Sequence, residues 1–137
     1  TGVTRELEEA NAKLAESERE ARNELEEAYQ MQVGLLPETA PEFPGIQVFG
    51  QSIPAKDVGG DFFDYLSCQD KTKFLIAVAD ISGKGMYAAM NAVMASGILR
   101  LASDENPTSD SSILMGKVNK SLCQNMEQGI NTYHKIR

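Results

Sequence analysis

The first 35 residues show a repeating pattern of apolar positions. Steps of four and three residues separate nine positions, six of them apolar, and this spacing predicts the seam of a coiled-coil helix. No proline or glycine interrupts residues 3–33, and Gly34 and Pro37 end the run. The nine positions are Leu7, Asn11, Leu14, Glu18, Ala21, Leu25, Ala28, Gln32 and Leu35.

Two interpretations of this helix remain open. The first interpretation is a solvated single helix stabilised by Glu–Arg pairs at helical spacing, because three seam positions are polar. The other is a parallel dimeric coiled coil between a sensor and an output domain, in which Asn11 helps to set the register. We expect the second, so that residues 1–36 form a helical linker and a homodimer interface.

Beyond Pro37 the pattern becomes that of strands. Residues 46–53 alternate between apolar and polar side chains, as a half-buried strand does. Residues 58–66 and 73–80 are rich in apolar and aromatic side chains, and the polar turn Gln69–Lys71 lies between them. The sequence therefore predicts three consecutive strands, the last two as a hairpin.

From Gly85 the apolar period is helical. Larger side chains at helical steps predict one apolar face, and alanines between them predict a slim helix buried against the sheet. Residues 106–110 offer capping groups for a second helix. The fold class is α+β, with helices covering one sheet face. That face comprises Met86, Met90, Val93, Gly97 and Leu101; the alanines are Ala88, Ala89, Ala92 and Ala95; the second helix has Leu114, Val118, Leu122 and Met126 at steps of four.

Composition limits the classes of function. The chain has 137 residues and a net charge of −7, and residues 1–36 hold nine acidic and four basic side chains. It has no basic patch, so nucleic-acid binding is not expected. Cys68 and Cys123 belong to no metal or disulfide motif, and neither a membrane segment nor a signal peptide is visible. We expect a cytoplasmic location for this chain. The sequence is also compatible with a longer parent protein that is anchored in a membrane.

Asp61 and Asp80 are the candidate metal ligands. Each lies in a predicted strand beside glycines, and a hairpin brings both carboxylates together. Carboxylates and carbonyl oxygens suit Mg²⁺ or Mn²⁺, whereas the only histidine, His134, argues against a His-ligated zinc site or a Ser-His-Asp triad within this chain. Two alternatives stay open: ordinary glycine turns whose aspartates cap backbone amides, and, as a minor one, a diguanylate-cyclase loop that Phe62 disrupts.

Taken together, these motifs resemble the SpoIIE-type branch of the metal-dependent PPM protein phosphatases. The resemblance extends over about residues 30–126 and rests on Leu35-Leu36-Pro37, Pro54–Asp64 and Asp80–Gly85, followed by Ala88-Ala89. It implies a phosphatase domain over residues 37–137, the N-terminal part of an α-β-β-α sandwich. It also implies phosphoserine/phosphothreonine hydrolysis by a two-metal Mn²⁺ or Mg²⁺ centre, regulatory phosphoproteins such as anti-anti-sigma factors as substrates, and an upstream sensor in the same bacterial polypeptide.

The resemblance also implies roles for single residues. Asp61 would bind one metal, Asp80 would bridge both, and the carbonyl of Ile81 would complete part of the coordination, so that the metals activate a water for attack on phosphorus. Lys84 would approach the phosphate or remain a solvated turn lysine. Asp64 would orient Asp61 or a metal-bound water, or only cap a strand end.

One departure from the family limits these expectations. The family's domain continues with further strands and two more metal-binding aspartates, and the acids after Asp80 do not stand in the corresponding context. We therefore expect weak metal binding and little turnover by this chain alone. The alternative function is a non-catalytic coiled-coil module for dimerisation and signal transmission, which depends on Leu7, Leu14, Leu25 and Leu35 and is indifferent to metal.

Overall fold

A long helix, a two-stranded sheet and two further helices follow one another along the chain. The structure, a computed structural model, describes residues 1–53, 58–67, 73–105 and 110–127. The α+β prediction is confirmed. The elements are α1 (Gly2–Gly34), β1 (Asp61–Ser67), β2 (Phe74–Asp80), α2 (Gly85–Glu105) and α3 (Ser111–Glu127).

The sheet is an antiparallel hairpin whose two faces differ in character. Asp61 lies opposite Asp80, and the pairing continues to Ser67 opposite Phe74. Because side chains alternate along a strand, Phe62 and Leu66 point to the helices and are buried. Ile76 and Val78 lie on the other face and are 53% and 77% exposed. This second face, which also carries Asp61 and Asp80, is called the open face below.

The core lies between the buried face of the sheet, α2 and α3. Helix α3 begins after Asp110, whose side-chain Oδ1 accepts from the Ser112 amide at 3.5 Å, so one of the predicted capping residues does cap the helix. Apolar side chains from β1, β2, α2 and α3, together with Ile81 after β2, form one cluster. Its members are Phe62, Leu66, Ala79, Ile81, Ala92, Ala95, Leu99, Ala102, Leu114, Val118 and Leu122.

The buried face of α2 is the reverse of the sequence expectation. The alanines, together with Ser96, Leu99 and Ala102, are buried, whereas Met90 and Leu101 are 67% and 65% exposed. Small side chains allow α2 to lie close to β1 and to α3, and a close-packed interior favours that contact over a looser one through larger side chains. The helix itself is confirmed, but the apolar face predicted to bury its larger residues was wrong.

The strand predicted at residues 46–53 is absent. Among the described residues the sheet has two strands, and the only pairing near this segment is an isolated bridge between Phe43 and Ile46. The segment crosses the open face at Gly50, where an added Cβ would lie within van der Waals overlap of the Tyr65 hydroxyl and the Phe63 ring. The apolar side chains of its alternating pattern stay largely exposed, with Phe49 at 87% and Ile53 at 80%, so the pattern does not correspond to burial against the sheet.

Helix α1 projects from the fold. Thr1 caps it by accepting from the Thr4 amide at 3.4 Å, and none of its residues is buried. Only its last turns are partly covered, at Leu25, Ala28, Tyr29 and Gln32. The following Leu36 packs against the core. The predicted single uninterrupted helix is confirmed; whether it pairs with a second copy stays a prediction.

Some expectations fall outside the described residues. These concern Pro54–Asp57 of the family motif, Cys68 with the turn Gln69–Lys71, residues 106–109 and the segment 128–137 with His134. Cys123 is a free thiol. Within the described ranges, no helix combines the length and apolar character needed to cross a bilayer.

Candidate metal centre

Asp61 and Asp80 face each other at the end of the hairpin. The next residue, Ile81, donates its amide to the carbonyl of Gly60 at 3.1 Å, which makes Asp61 and Asp80 a non-hydrogen-bonded pair of the ladder. Side chains in such pairs approach each other most closely. The sequence prediction that the hairpin unites these two carboxylates is confirmed.

The electrostatics of the pair reflect this closeness. Both residues are exposed at the sheet end. Lost hydration, then the negative charge of Asp80 and a hydrogen bond between the two carboxyl groups, raise the pKa of Asp61 above its ordinary value. Two like charges held opposite each other repel, and a divalent cation bound between them would relieve that repulsion.

Gly60 and Ile81 pack tightly beside the pair. A Cβ on Gly60 would lie 2.5 Å from the Ile81 carbonyl oxygen and 3.2 Å from the Ala88 Cβ. The Ile81 side chain is buried in the core, so the backbone at this point is held on both sides. Gly60 is therefore required by close backbone approach, and it fixes the carbonyl that was predicted as a third ligand.

A glycine turn carries the chain from Asp80 into α2. Gly83 and Gly85 have φ values of +114° and +62°, which L side chains rarely adopt. These two glycines therefore form the tight turn that leads into α2. Lys84 between them is exposed and lines the same cavity as Asp61.

Asp64 lies on the face of the sheet opposite to Asp61. It is 2% exposed, and its oxygens accept from Arg100 Nε at 2.5 Å and Nη2 at 3.0 Å. Because residues three apart on a strand point to opposite faces, neither proposed role at the metal pair is compatible with this position. Asp64 is an ion-pair partner inside the helix–sheet interface. Sequence reasoning missed Arg100, and the available signal was that it is the only basic residue in the sequence of α2.

Gln32 of α1 contacts the loop that leads into β1. Its Nε2 donates to the Gly59 carbonyl at 2.5 Å, and its Oε1 accepts from the Gly59 amide at 3.1 Å. The sequence pattern had placed Gln32 at a polar position of the coiled-coil seam. In the structure the Gln32 side chain instead bonds within its own chain, to Gly59, which lies two residues before Asp61.

A cavity of about 700 Å³ adjoins the pair. The last turns of α1, Ile53, the loop 58–60 and the glycine turn 83–85 surround it, and Asp61 lies at its wall. One side is apolar, with Leu25, Tyr29 and Leu36, and Lys84 adds a positive charge near the carboxylate.

The donor set suits a hard divalent cation in part. Two carboxylates and a nearby carbonyl are the ligand types that Mg²⁺ and Mn²⁺ take, with water in the remaining positions. In the part of the chain that the structure describes, no three or more His, Cys, Asp or Glu side chains gather closely enough to hold a metal. The pair thus supplies two of the oxygen ligands that a metal centre needs, and the described residues supply no third acidic, histidine or cysteine ligand beside them.

Comparison with known proteins places the chain in a family. Residues 70–134 match the family model described as stage II sporulation protein E (SpoIIE). This match, with the two relatives below, shows that the chain belongs to the SpoIIE family of PPM-type phosphatase domains.

Two relatives support the assignment. The chain is 31% identical over 114 residues, 83% of its length, to the phosphoserine phosphatase RsbU of Bacillus subtilis (strain 168). It is 34% identical over 92 residues, 67% of its length, to protein IcfG of Synechocystis sp. (strain ATCC 27184 / PCC 6803 / Kazusa). The chain spans only 32% and 14% of the length of these two relatives.

Proposed function

We propose that this chain is part of a metal-dependent protein serine/threonine phosphatase, in which Asp61 and Asp80 hold Mn²⁺ or Mg²⁺. The observation that carries the proposal is the Asp61–Asp80 pair, two exposed carboxylates held opposite each other at a sheet end. Membership of the SpoIIE family and the name of the Bacillus subtilis relative, a phosphoserine phosphatase, favour this activity over other uses of a carboxylate pair.

The residues of this chain would have distinct tasks. A bound divalent cation supplies Lewis-acid activation of water and offsets charge on the phosphoryl oxygens. Asp61 and Asp80 would hold the cation, and the Ile81 carbonyl, which packs against Gly60, would be an additional oxygen ligand. Lys84 lies at the edge of the same cavity, where its positive charge attracts an incoming phosphate.

The substrate proposed is a small regulatory phosphoprotein, such as an anti-anti-sigma factor. A phosphoserine side chain is short, so its protein must dock close to the carboxylate pair, and the cavity beside Asp61 provides an approach. Regulation by a sensor earlier in the same polypeptide is part of the proposal, with residues 1–36 as linker and residues 37–137 as a portion of the phosphatase domain.

The test is a calorimetric Mn²⁺ titration of this chain, of Asp80→Asn, and of Asp104→Asn as the control. Asp104 is an exposed acid on the last turn of α2, so its replacement removes the same charge elsewhere. We expect binding that Asp80→Asn abolishes and Asp104→Asn retains. A wild-type chain without detectable binding would contradict the metal site.

A second titration addresses the substrate class. A phosphoserine peptide is added to the chain with and without Mn²⁺, and the same peptide without phosphate serves as the control. Mn²⁺-dependent binding of the phosphorylated peptide alone supports a phosphatase. Equal binding of both peptides, independent of metal, would favour a protein-interaction module.

The second candidate function is dimerisation and signal transmission through α1. The specific observation is that Leu7 and Leu14, both predicted seam residues, are 60% and 59% exposed on a helix with no buried residue. Apolar side chains repeated along one face of an isolated helix are stabilised when a second helix covers them. This function is compatible with the phosphatase and does not require metal.

A further inference from the structure

We propose that the cavity beside Asp61 selects phosphoserine segments in which a large apolar residue stands directly next to the phosphoserine. The apolar side chain packs against Leu25 and Tyr29, while the phosphate lies on the side of Asp61 and Lys84. The inference rests on the proposed phosphatase function and adds to it a preference for the residue beside the phosphoserine.

The lining of the cavity divides into two kinds of surface. The last turns of α1 and the residues after it contribute Leu25, Tyr29 and Leu36. The start of β1 and the glycine turn contribute Asp61 and Lys84, the two charged side chains of the lining. A ligand that fills this space therefore meets apolar side chains from one part of the chain and charged groups from another. A phosphoserine beside an apolar residue has both characters.

The apolar side chains of the lining are still accessible to a ligand. Leu25 and Tyr29 are only partly covered, and no residue of α1 is buried. Ile53, which lines the same cavity, is 80% exposed. Removal of apolar surface from water is favourable roughly in proportion to its area, so a leucine-sized side chain that covers these residues gains binding free energy.

Lys84 supplies the charge complementarity for the phosphate. It is exposed, and none of the salt bridges within the described ranges includes it. A phosphoserine carries a charge of about −1.5 to −2 at pH 7, which attracts it to the ammonium group and to a cation held by Asp61 and Asp80. The phosphate is thus directed to one side of the cavity, and this fixes how the rest of the segment lies.

The geometry of an extended segment matches this division. Successive side chains of a strand-like peptide point to opposite sides. When the phosphoserine points toward Asp61, the residue directly before or after it therefore points toward Leu25 and Tyr29. The volume of about 700 Å³ falls within the range of roughly 300–1,000 Å³ that ligand sites occupy, so both side chains can be held together.

The expected preference is modest, because the cavity is open to solvent. Hydrophobic cavities discriminate between side chains that differ by a methylene by roughly 10–200-fold. A leucine beside the phosphoserine is only partly enclosed by Leu25 and Tyr29. We therefore expect it to strengthen binding by about tenfold relative to alanine, at the low end of that range.

The experiment uses two phosphoserine peptides that differ only in the residues on both sides of the phosphoserine, which are leucine in one and alanine in the other. Their dissociation constants are measured with Mn²⁺ for the wild-type chain, Leu25→Ala and Leu14→Ala. Leu14 is the matched control, because it is also a predicted seam leucine of α1, is 59% exposed and does not line the cavity. The unphosphorylated forms of both peptides are measured without Mn²⁺.

The outcomes separate this preference from the proposed function. About tenfold tighter binding of the leucine phosphopeptide by the wild-type chain and by Leu14→Ala, with the preference lost in Leu25→Ala, supports the proposal. Equal binding of the two phosphopeptides by the wild-type chain overturns it and leaves the phosphatase intact. Equal loss of the preference in Leu14→Ala also overturns it, because the leucines then act through helix pairing.

One further outcome concerns the phosphatase itself. Binding that depends on neither phosphate nor Mn²⁺ contradicts the proposed function. The unphosphorylated peptides then decide the apolar contact alone: tighter binding of the leucine peptide that Leu25→Ala removes retains the contact, and equal binding of both peptides rejects it.

Discussion

Arg100 and Asp64 form a two-point ion pair across the interface between α2 and β1. Nε and Nη2 of the guanidinium each contact one oxygen of a carboxylate that is 2% exposed, while the arginine side chain is 49% exposed. The same arginine also donates to the Leu35 carbonyl at 3.2 Å. One side chain therefore joins the sheet, α2 and the segment after α1.

Removal of Arg100 should destabilise the fold. Arg100→Ala leaves the buried Asp64 carboxylate without its counter-charge, and because the arginine is half exposed we expect a loss of about 2 kcal/mol, below the range for fully buried pairs. Arg100→Lys should lose less, since it keeps the charge without the two-point geometry. Urea denaturation measures both, with Arg22→Ala on exposed α1 as control. Equal stability of Arg100→Ala and wild type would show that the pair contributes nothing.

The Asp61–Asp80 pair should make the metal-free chain pH-dependent. The raised pKa of Asp61 means that the fold favours its protonated form, so this contribution to stability is present below the unfolded value of 3.8 and is lost as pH rises through the folded pKa. Asp61→Asn should therefore stabilise the chain at pH 7 in EDTA, by a few tenths of a kcal/mol for two like charges placed opposite each other.

The measurement is the difference in Tm between Asp61→Asn and wild type as a function of pH. We expect the advantage of the variant at pH 7 to shrink toward pH 4 and below. Asp104→Asn, which removes an exposed charge far from the pair, should show no such trend. An advantage that is constant with pH would mean that the repulsion is not its cause.

Gly60 should not tolerate alanine. The added Cβ would lie 2.5 Å from the Ile81 carbonyl oxygen, and because that atom is backbone at the edge of the core, the strands must shift. We expect a loss of stability of about 1–3 kcal/mol, typical of overpacking, and weaker Mn²⁺ binding.

The matched control for Gly60→Ala is Gly97→Ala. No atom lies within 4 Å of a Cβ built on Gly97, which is a helical residue of α2. Alanine there should stabilise the chain by about 1 kcal/mol through helix propensity. Thermal unfolding of both variants checks the opposite signs, and a stable Gly60→Ala chain would contradict the close packing at Ile81.

Dimerisation through α1 should depend on its apolar seam. We expect the double variant Leu7→Gln and Leu14→Gln to shift the chain toward monomer, since polar side chains at seam positions remove the apolar contact between helices. Ala12→Gln, which lies away from the seam on the same helix, should leave the proportions of monomer and dimer unchanged. Sedimentation velocity over a range of concentrations reports both, and a wild-type chain that remains monomeric throughout would exclude the dimer.

Much of the fold could be predicted from the sequence because its signals are local. The run free of proline and glycine before Gly34 became α1, and the apolar segment ending at Asp80 became β2. The glycines at 83 and 85 made the turn into α2. The two candidate ligands also came together as predicted, because a hairpin of this length leaves few registers that bury Phe62 and Leu66 on one face.

Other features could not be read from local patterns. The alternation in residues 46–53 predicted a strand, but a strand needs a partner with free ladder groups, and none is paired with it here. The larger apolar side chains of α2 predicted its buried face, but packing against the sheet favoured the alanines. In both cases the sequence pattern is present, but contacts with distant parts of the chain determine which side chains are buried.

The helices, the hairpin, the carboxylate pair and the family could all be predicted from the amino-acid sequence. These depend on periodicity, glycine positions and motif spacing, which act over a few residues. The ion pair between Asp64 and Arg100 and the contact of Gln32 with Gly59 emerge only in the folded chain, because these partners are 36 and 27 residues apart. Such contacts depend on how separate elements pack, and no local pattern specifies which distant polar group a side chain will meet.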